Sequence, residues 1–111
     1  MQTSVAYRQS MAKKGLNNYR ENAILNASPE ELILKLYDLG LLSIKKGDLQ
    51  KANRVLTELI SSLNFDYQEV ALGFFKLYRY CQNELYQGRT EMPLKILTEL
   101  RESWAKAFNL A

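Results

Sequence analysis

Histidine is absent from the 111 residues, and cysteine occurs once, at Cys81. The first absence removes the commonest general base and the commonest metal ligand at neutral pH, so no hydrolytic triad of the usual kind can be built. The second excludes an intrachain disulfide and suits a reducing compartment, with the cytoplasm as the expected location. Two prolines and five glycines in the whole chain favour long helices over many turns. No glycine-rich loop follows a strand pattern, so a phosphate cradle is not expected. Acidic residues are missing from positions 1–20, which hold Arg8, Lys13, Lys14 and Arg20, whereas the remainder balances eleven bases against twelve acids. Four charges make too thin a patch for nucleic-acid binding, and the rest offers no matching basic face. No long uninterrupted apolar run exists either. Lys35 and Asp38 break the greasiest stretch before it could span a bilayer, and nothing near Met1 reads as a signal peptide, so neither insertion nor secretion by that route is expected.

What is present is helical periodicity. A chain of this length forms one domain, divided here into an arm over 1–28 and a bundle over 29–111. Ser28, Pro29 and Glu31 spell a helix start: the serine accepts from the backbone of Glu31, the glutamate reaches back to Ser28, and Pro29 fills the first helical position. The helix that follows runs to about Lys46 and stops at Gly47. Only Glu31, Lys35, Asp38, Lys45 and Lys46 form its polar stripe, so this helix is buried on two sides.

Asp48 caps a second helix, Leu49 to Leu63, with Ala52, Val55, Leu56, Leu59 and Leu63 on one face. Asp66 and Glu69 resemble a capping box for a third helix over about 67–87, whose inner stripe is Val70, Ala71, Phe74, Leu77, Tyr78, Cys81 and Leu85. Gly88 ends it. Thr90 caps a fourth helix, with Pro93 tolerated in its first turn and Leu94, Leu97, Leu100, Trp104 and Ala107 along one face. Connections this short make neighbours antiparallel, which predicts an all-α, up-down four-helix bundle. Ser4 to Leu16 could add a short helix, but Gly15 and the asparagines at 17, 18, 22 and 26 favour turns, so the first 28 residues read as an arm docked on the bundle.

Catalytic chemistry is missing. Cys81 falls on an inner stripe, where it is a small buried hydrophobe with no histidine to activate it. Glu30 and Glu31 belong to a helix start rather than to a paired acid and base. No cofactor, metal or enzymatic activity is expected.

Tyr19-x-x-Asn22-x-Ile24-x-x-Ala27-Ser28-Pro29-x-Glu31-Leu32, then Leu36-Tyr37-Asp38, Ser61-Ser62-Leu63, Leu77-Tyr78-x-Tyr80 and Leu100-Arg101-Glu102-x-Trp104-x-Lys106-Ala107, resemble the flagellin-specific export chaperones of the bacterial flagellum over about residues 19–108. The resemblance implies an antiparallel bundle that binds the disordered C-terminal segment of flagellin in the cytoplasm and prevents polymerisation before export, with export-apparatus components as further partners. It also implies an arm that lies over the client groove through Tyr19, Asn22 and Ile24. Leu32 and Leu36 are expected to face the core. Ile33, Tyr37 and Leu41, one helical step aside, are expected on an exposed side that contacts the client. Relative to the family pattern the first hairpin is shorter by roughly two helical turns in each arm, which shortens the groove. The alternative is a structural homodimer or adaptor that buries its extra apolar face against a copy of itself.

Overall fold

In the computed structural model, residues 27–110 are described; the arm's Tyr19, Asn22 and Ile24, and the possible helix over Ser4 to Leu16, lie outside them. Four helices account for most of this span: α1 (Pro29–Lys45), α2 (Leu49–Ser61), α3 (Gln68–Tyr86) and α4 (Glu91–Ala107), with no strand among the described residues. Each helix packs on its chain neighbours and α4 closes the ring on α1, giving an antiparallel four-helix bundle; the α3–α4 seam is the least extensive of the four.

The ends are set locally. Ser28 Oγ accepts from the Glu31 N–H at 3.2 Å while Glu31 Oε1 accepts from the Ser28 N–H at 2.9 Å, and these bonds hold the Glu31 carboxyl below its usual pKa. Asp48 Oδ1 accepts from the Lys51 N–H at the start of α2. Past α1 and α3, Gly47 and Gly88 adopt φ of 79° and 76°. In both places the glycine N–H and the following N–H donate back to the last turn, Gly47 to Ile44 and Asp48 to Ser43, Gly88 to Leu85 and Arg89 to Glu84. These are Schellman closures, in which a residue without Cβ takes the left-handed conformation. Asn109, with φ of 57°, ends α4 in the same way.

Two expected caps differ. Tyr67, not Asp66, occupies the N-cap of α3, and it makes no side-chain cap bond. The Asp66 N–H is instead drawn to Asn64 Oδ1 at 3.0 Å, a turn that uses the aspartate's backbone and displaces the helix start by one residue. Thr90 stands at the N-cap of α4 but makes no side-chain bond there.

The core runs down the middle as Leu32, Ile33, Leu36, Tyr37 and Ile44 from α1, Ala52, Val55, Leu56 and Leu59 from α2, Ala71, Tyr78, Cys81 and Leu85 from α3 and Leu97 from α4. Across the diagonal, the hydroxyls of Tyr37 and Tyr78 meet at 2.7 Å, fully buried. Gly40 sits where α1 touches both its neighbours: a Cβ there would stand 3.4 Å from Val55 Cγ1 and 3.6 Å from Leu97 Cδ1. Those are ordinary contact distances. Gly40→Ala should therefore stabilise by about 0.5–1 kcal/mol through helix propensity. Gly40→Leu, with no space beyond the Cβ, should destabilise by about 1–3 kcal/mol; thermal unfolding of both variants checks the sign reversal.

Candidate partner-binding face

The solvent stripe of α1 is Glu31, Lys35, Asp38, Leu42 and Lys45, spaced i, i+4, i+7, i+11, i+14, and every other position from Leu32 to Ile44 is buried or half-buried. The helix is thus buried on two sides. The expectation that Ile33, Tyr37 and Leu41 form an exposed side is corrected: they are 0 %, 1 % and 8 % exposed and belong to the core. The reason is geometric. A helix flanked by neighbours on both sides, with a diagonal partner beneath, has room for only one outward row. Stepping one position from Leu32 or Leu36 turns a side chain by about 100° and leaves it inside.

Two family motifs fasten the α1–α4 seam. Trp104 Nε1 donates to the Glu30 carbonyl at 2.8 Å, and Arg101 Nε donates to Asp38 Oδ1 at 2.8 Å. The ion pair holds the guanidinium above its usual pKa. Trp104 also stands edge-on to Phe108, centroids 4.6 Å apart. Ser28, Glu31, Asp38, Arg101 and Trp104, scattered over seventy residues of sequence, therefore serve one joint that sets the start of α1 against the end of α4.

The opposite flank of α4 and the outer flank of α3 carry part of the exposed apolar surface, the rest being Leu42, Phe65, Leu72 and Tyr86. On α3, Val70, Gly73, Leu77 and Tyr80 recur at i, i+3, i+7, i+10, and Val70 and Leu77 are 44 % and 39 % exposed although both were expected on the inner stripe. The inner stripe is Ala71, Tyr78, Cys81 and Leu85, rotated from that row by about 100° and supported by the half-buried Phe74, which stacks on Tyr78 at 5.9 Å. On α4, Met92, Ile96 and Leu100 recur at i, i+4, i+8 in a row that winds inward to Trp104 at its far end; Met92 is exposed and the other two are half-buried. Nothing stands within 4 Å of a Cβ built on Gly73, so the row on α3 is low at its centre. Together the two rows make a candidate apolar groove along the α3–α4 seam, the α3 row running about 15 Å, the rise of ten helical residues. The Leu77-Tyr78-x-Tyr80 motif divides accordingly, Tyr78 inward and Leu77 and Tyr80 outward. Sequence held one signal for it: α3, like α1, has more apolar positions than one inner stripe can absorb.

Cys81 lies at the floor of α3. Burial, with a smaller effect of Glu84, pushes its thiol pKa up to about 11. It should stay unreactive toward a disulfide reagent at neutral pH until the chain unfolds, so thiol release should follow the unfolding curve measured by circular dichroism. Among the described residues no group of acids and thiols could hold a metal ion.

The sequence profile of the family described as flagellar protein FliS matches residues 43–110, more than half of the chain. The chain belongs to the FliS family. The match begins at the end of α1 and takes in α2, α3, α4 and both rows of the groove, while the motifs from Tyr19 to Asp38 precede it. Neither curated proteins nor solved structures gave a significant match. Membership in the FliS family supports a flagellar export chaperone's role. No described helix is long and apolar enough to cross a membrane.

Proposed function

We propose that this FliS-family chain acts in the cytoplasm as the export chaperone of flagellin, binding the disordered C-terminal segment of its client in the α3–α4 groove and preventing polymerisation before secretion. The observation that carries the reading is the aligned exposed row Val70, Gly73, Leu77 and Tyr80 beside Met92, Ile96 and Leu100. An amphipathic segment that folds on binding presents apolar anchors at the same helical spacing, and its ordering cost keeps the complex reversible. On this reading Tyr19, Asn22 and Ile24 compete with the client, as the family resemblance implies. Ile33, Tyr37 and Leu41 contribute from the core by fixing α1, and through it the position of α4.

Titration calorimetry of the full chain with a peptide from the flagellin C-terminus should give a one-to-one complex of micromolar affinity or tighter. Absence of heat and of any mobility change at those concentrations would overturn the proposal. The same exposed row also suits self-association. Light scattering of the free chain separates the readings, a monomer favouring the open groove and a stable dimer the homodimeric adaptor.

A further inference from the structure

On the other flank of α3, toward α2, lies a second depression of different chemistry. It encloses about 630 Å3 between Leu49, Asn53 and Arg54 of α2 and Arg79, Gln82 and Tyr86 of α3. Its lining contains two guanidiniums and no carboxylate. Gln82, itself buried, organises the floor: its Nε2 donates to the Asn53 carbonyl at 3.2 Å and to Thr57 Oγ1 at 3.0 Å, and its Oε1 accepts from Arg79 Nη1 at 2.9 Å. That bond orients the Arg79 fork and leaves most of its five donors free. Neither Arg79 nor Arg54 forms an ion pair with a described acid; the acid nearest in sequence to the Arg79 side of the cleft, Glu84, is taken by Arg89. The Oδ1 of Asn53 is buried and has no hydrogen-bond partner.

An unmet buried acceptor is rare in a folded protein and marks a place where a donor is missing. Here it shares one cleft with two unneutralised guanidiniums, whose planar forks match carboxylates. The acceptor itself is out of a ligand's reach, so the recognition rests on the guanidiniums: an Asp or Glu carboxylate on a peptide matches their forks. The exposed ring of Tyr86 and the side chain of Leu49 add apolar contact at the rim. We infer that the α2–α3 cleft is a docking site for an acidic segment of a partner protein, bound through Arg54 and Arg79. This site is separate from the α3–α4 groove, so it stands whether or not that groove takes flagellin.

The test is a nuclear magnetic resonance titration of the isotope-labelled full chain with an acetylated, amidated hexapeptide holding one Asp and one Glu among Gly and Ala. A matched peptide with Asn and Gln, and succinate alone, serve as controls. The side-chain amides of Asn53 and Gln82 should shift saturably with the acidic peptide, with binding at least about tenfold weaker for the Asn/Gln peptide and for the Arg54→Gln/Arg79→Gln variant. Lys76→Gln, which removes an exposed base outside the lining, should leave the affinity unchanged. Four results overturn the inference: no shift at Asn53 up to about 1 mM peptide, equal binding of the Asn/Gln peptide, an equal loss in Lys76→Gln, or succinate binding as well as the peptide. The last would make the cleft a small-carboxylate site. The thermal midpoint of the arginine variant, expected to equal that of the parent, keeps a lost shift from being read as lost folding.

Discussion

Tyr78→Ala should lower stability by about 3–5 kcal/mol, the range for truncating a large buried aromatic. For a domain of this size that moves the thermal midpoint down by on the order of 15–30 °C. Tyr78 is fully buried at the centre of α3, stacked on Phe74 and bonded across the bundle to Tyr37. Its ring fills the space between the diagonal helices α1 and α3, where its hydroxyl meets that of Tyr37. Neighbouring α2 and α4 cannot close that gap, because Gly40 already draws them against α1 on both sides. Tyr78→Phe keeps the ring and removes the hydroxyl that meets Tyr37, so it should cost only about 1 kcal/mol. If the two variants unfold at the same temperature, the ring is not packed as described. Chemical denaturation, with the slope compared between variants, shows whether either change acts on the unfolded chain instead.

The contrast between what was and was not legible follows the range of the forces. Ser28, Pro29 and Glu31 act within one turn, and the start of α1 could be read from them alone; so could the stops at Gly47 and Gly88 and the cap at Asp48. Short connections then left an antiparallel bundle as the simple closed solution. The joint between Arg101 and Asp38, 63 residues apart, could not be read, because nothing local fixes how far α4 slides along α1. Exposure failed for the same reason. Whether Ile33 or Val70 faces water depends on where neighbouring helices lie, and both are apolar residues on strongly periodic helices. Periodicity identifies that a helix has an apolar side; it does not say how wide that side must be before the surplus becomes surface. On α1 three neighbours absorb the surplus except Leu42, which is left in the solvent stripe. On α3 it is not absorbed, because the α3–α4 seam is the slightest of the four. Asp66 illustrates the local limit of such reading, since Asn64 competes for its backbone and wins.

Val70→Glu/Leu77→Glu should reduce affinity for the flagellin C-terminal peptide by at least about a hundredfold, roughly 2.7 kcal/mol or more, while changing folding stability little. Both residues project from α3 into water, so the charges cost almost nothing in the free chain, where surface substitutions usually stay within about 0.5 kcal/mol. In a complex the same carboxylates would be stripped of water against apolar anchors, with no base placed to meet them, and that penalty appears in full as lost affinity. The comparison that makes the prediction specific is Ile33→Ala. Truncating that core residue should cost about 2–5 kcal/mol of stability, yet it touches no open surface, so peptide affinity measured well below its unfolding temperature should fall far less than in the α3 variant. If instead the α3 variant binds normally and a folded Ile33→Ala does not, the client meets α1, and the groove between α3 and α4 has another use. The arginine pair offers an internal control, because Arg54→Gln/Arg79→Gln alters the opposite flank of the same helix and should leave flagellin peptide binding intact. A joint loss in both variants would mean that one long segment wraps α3 from one flank to the other, with its acidic part in the α2–α3 cleft.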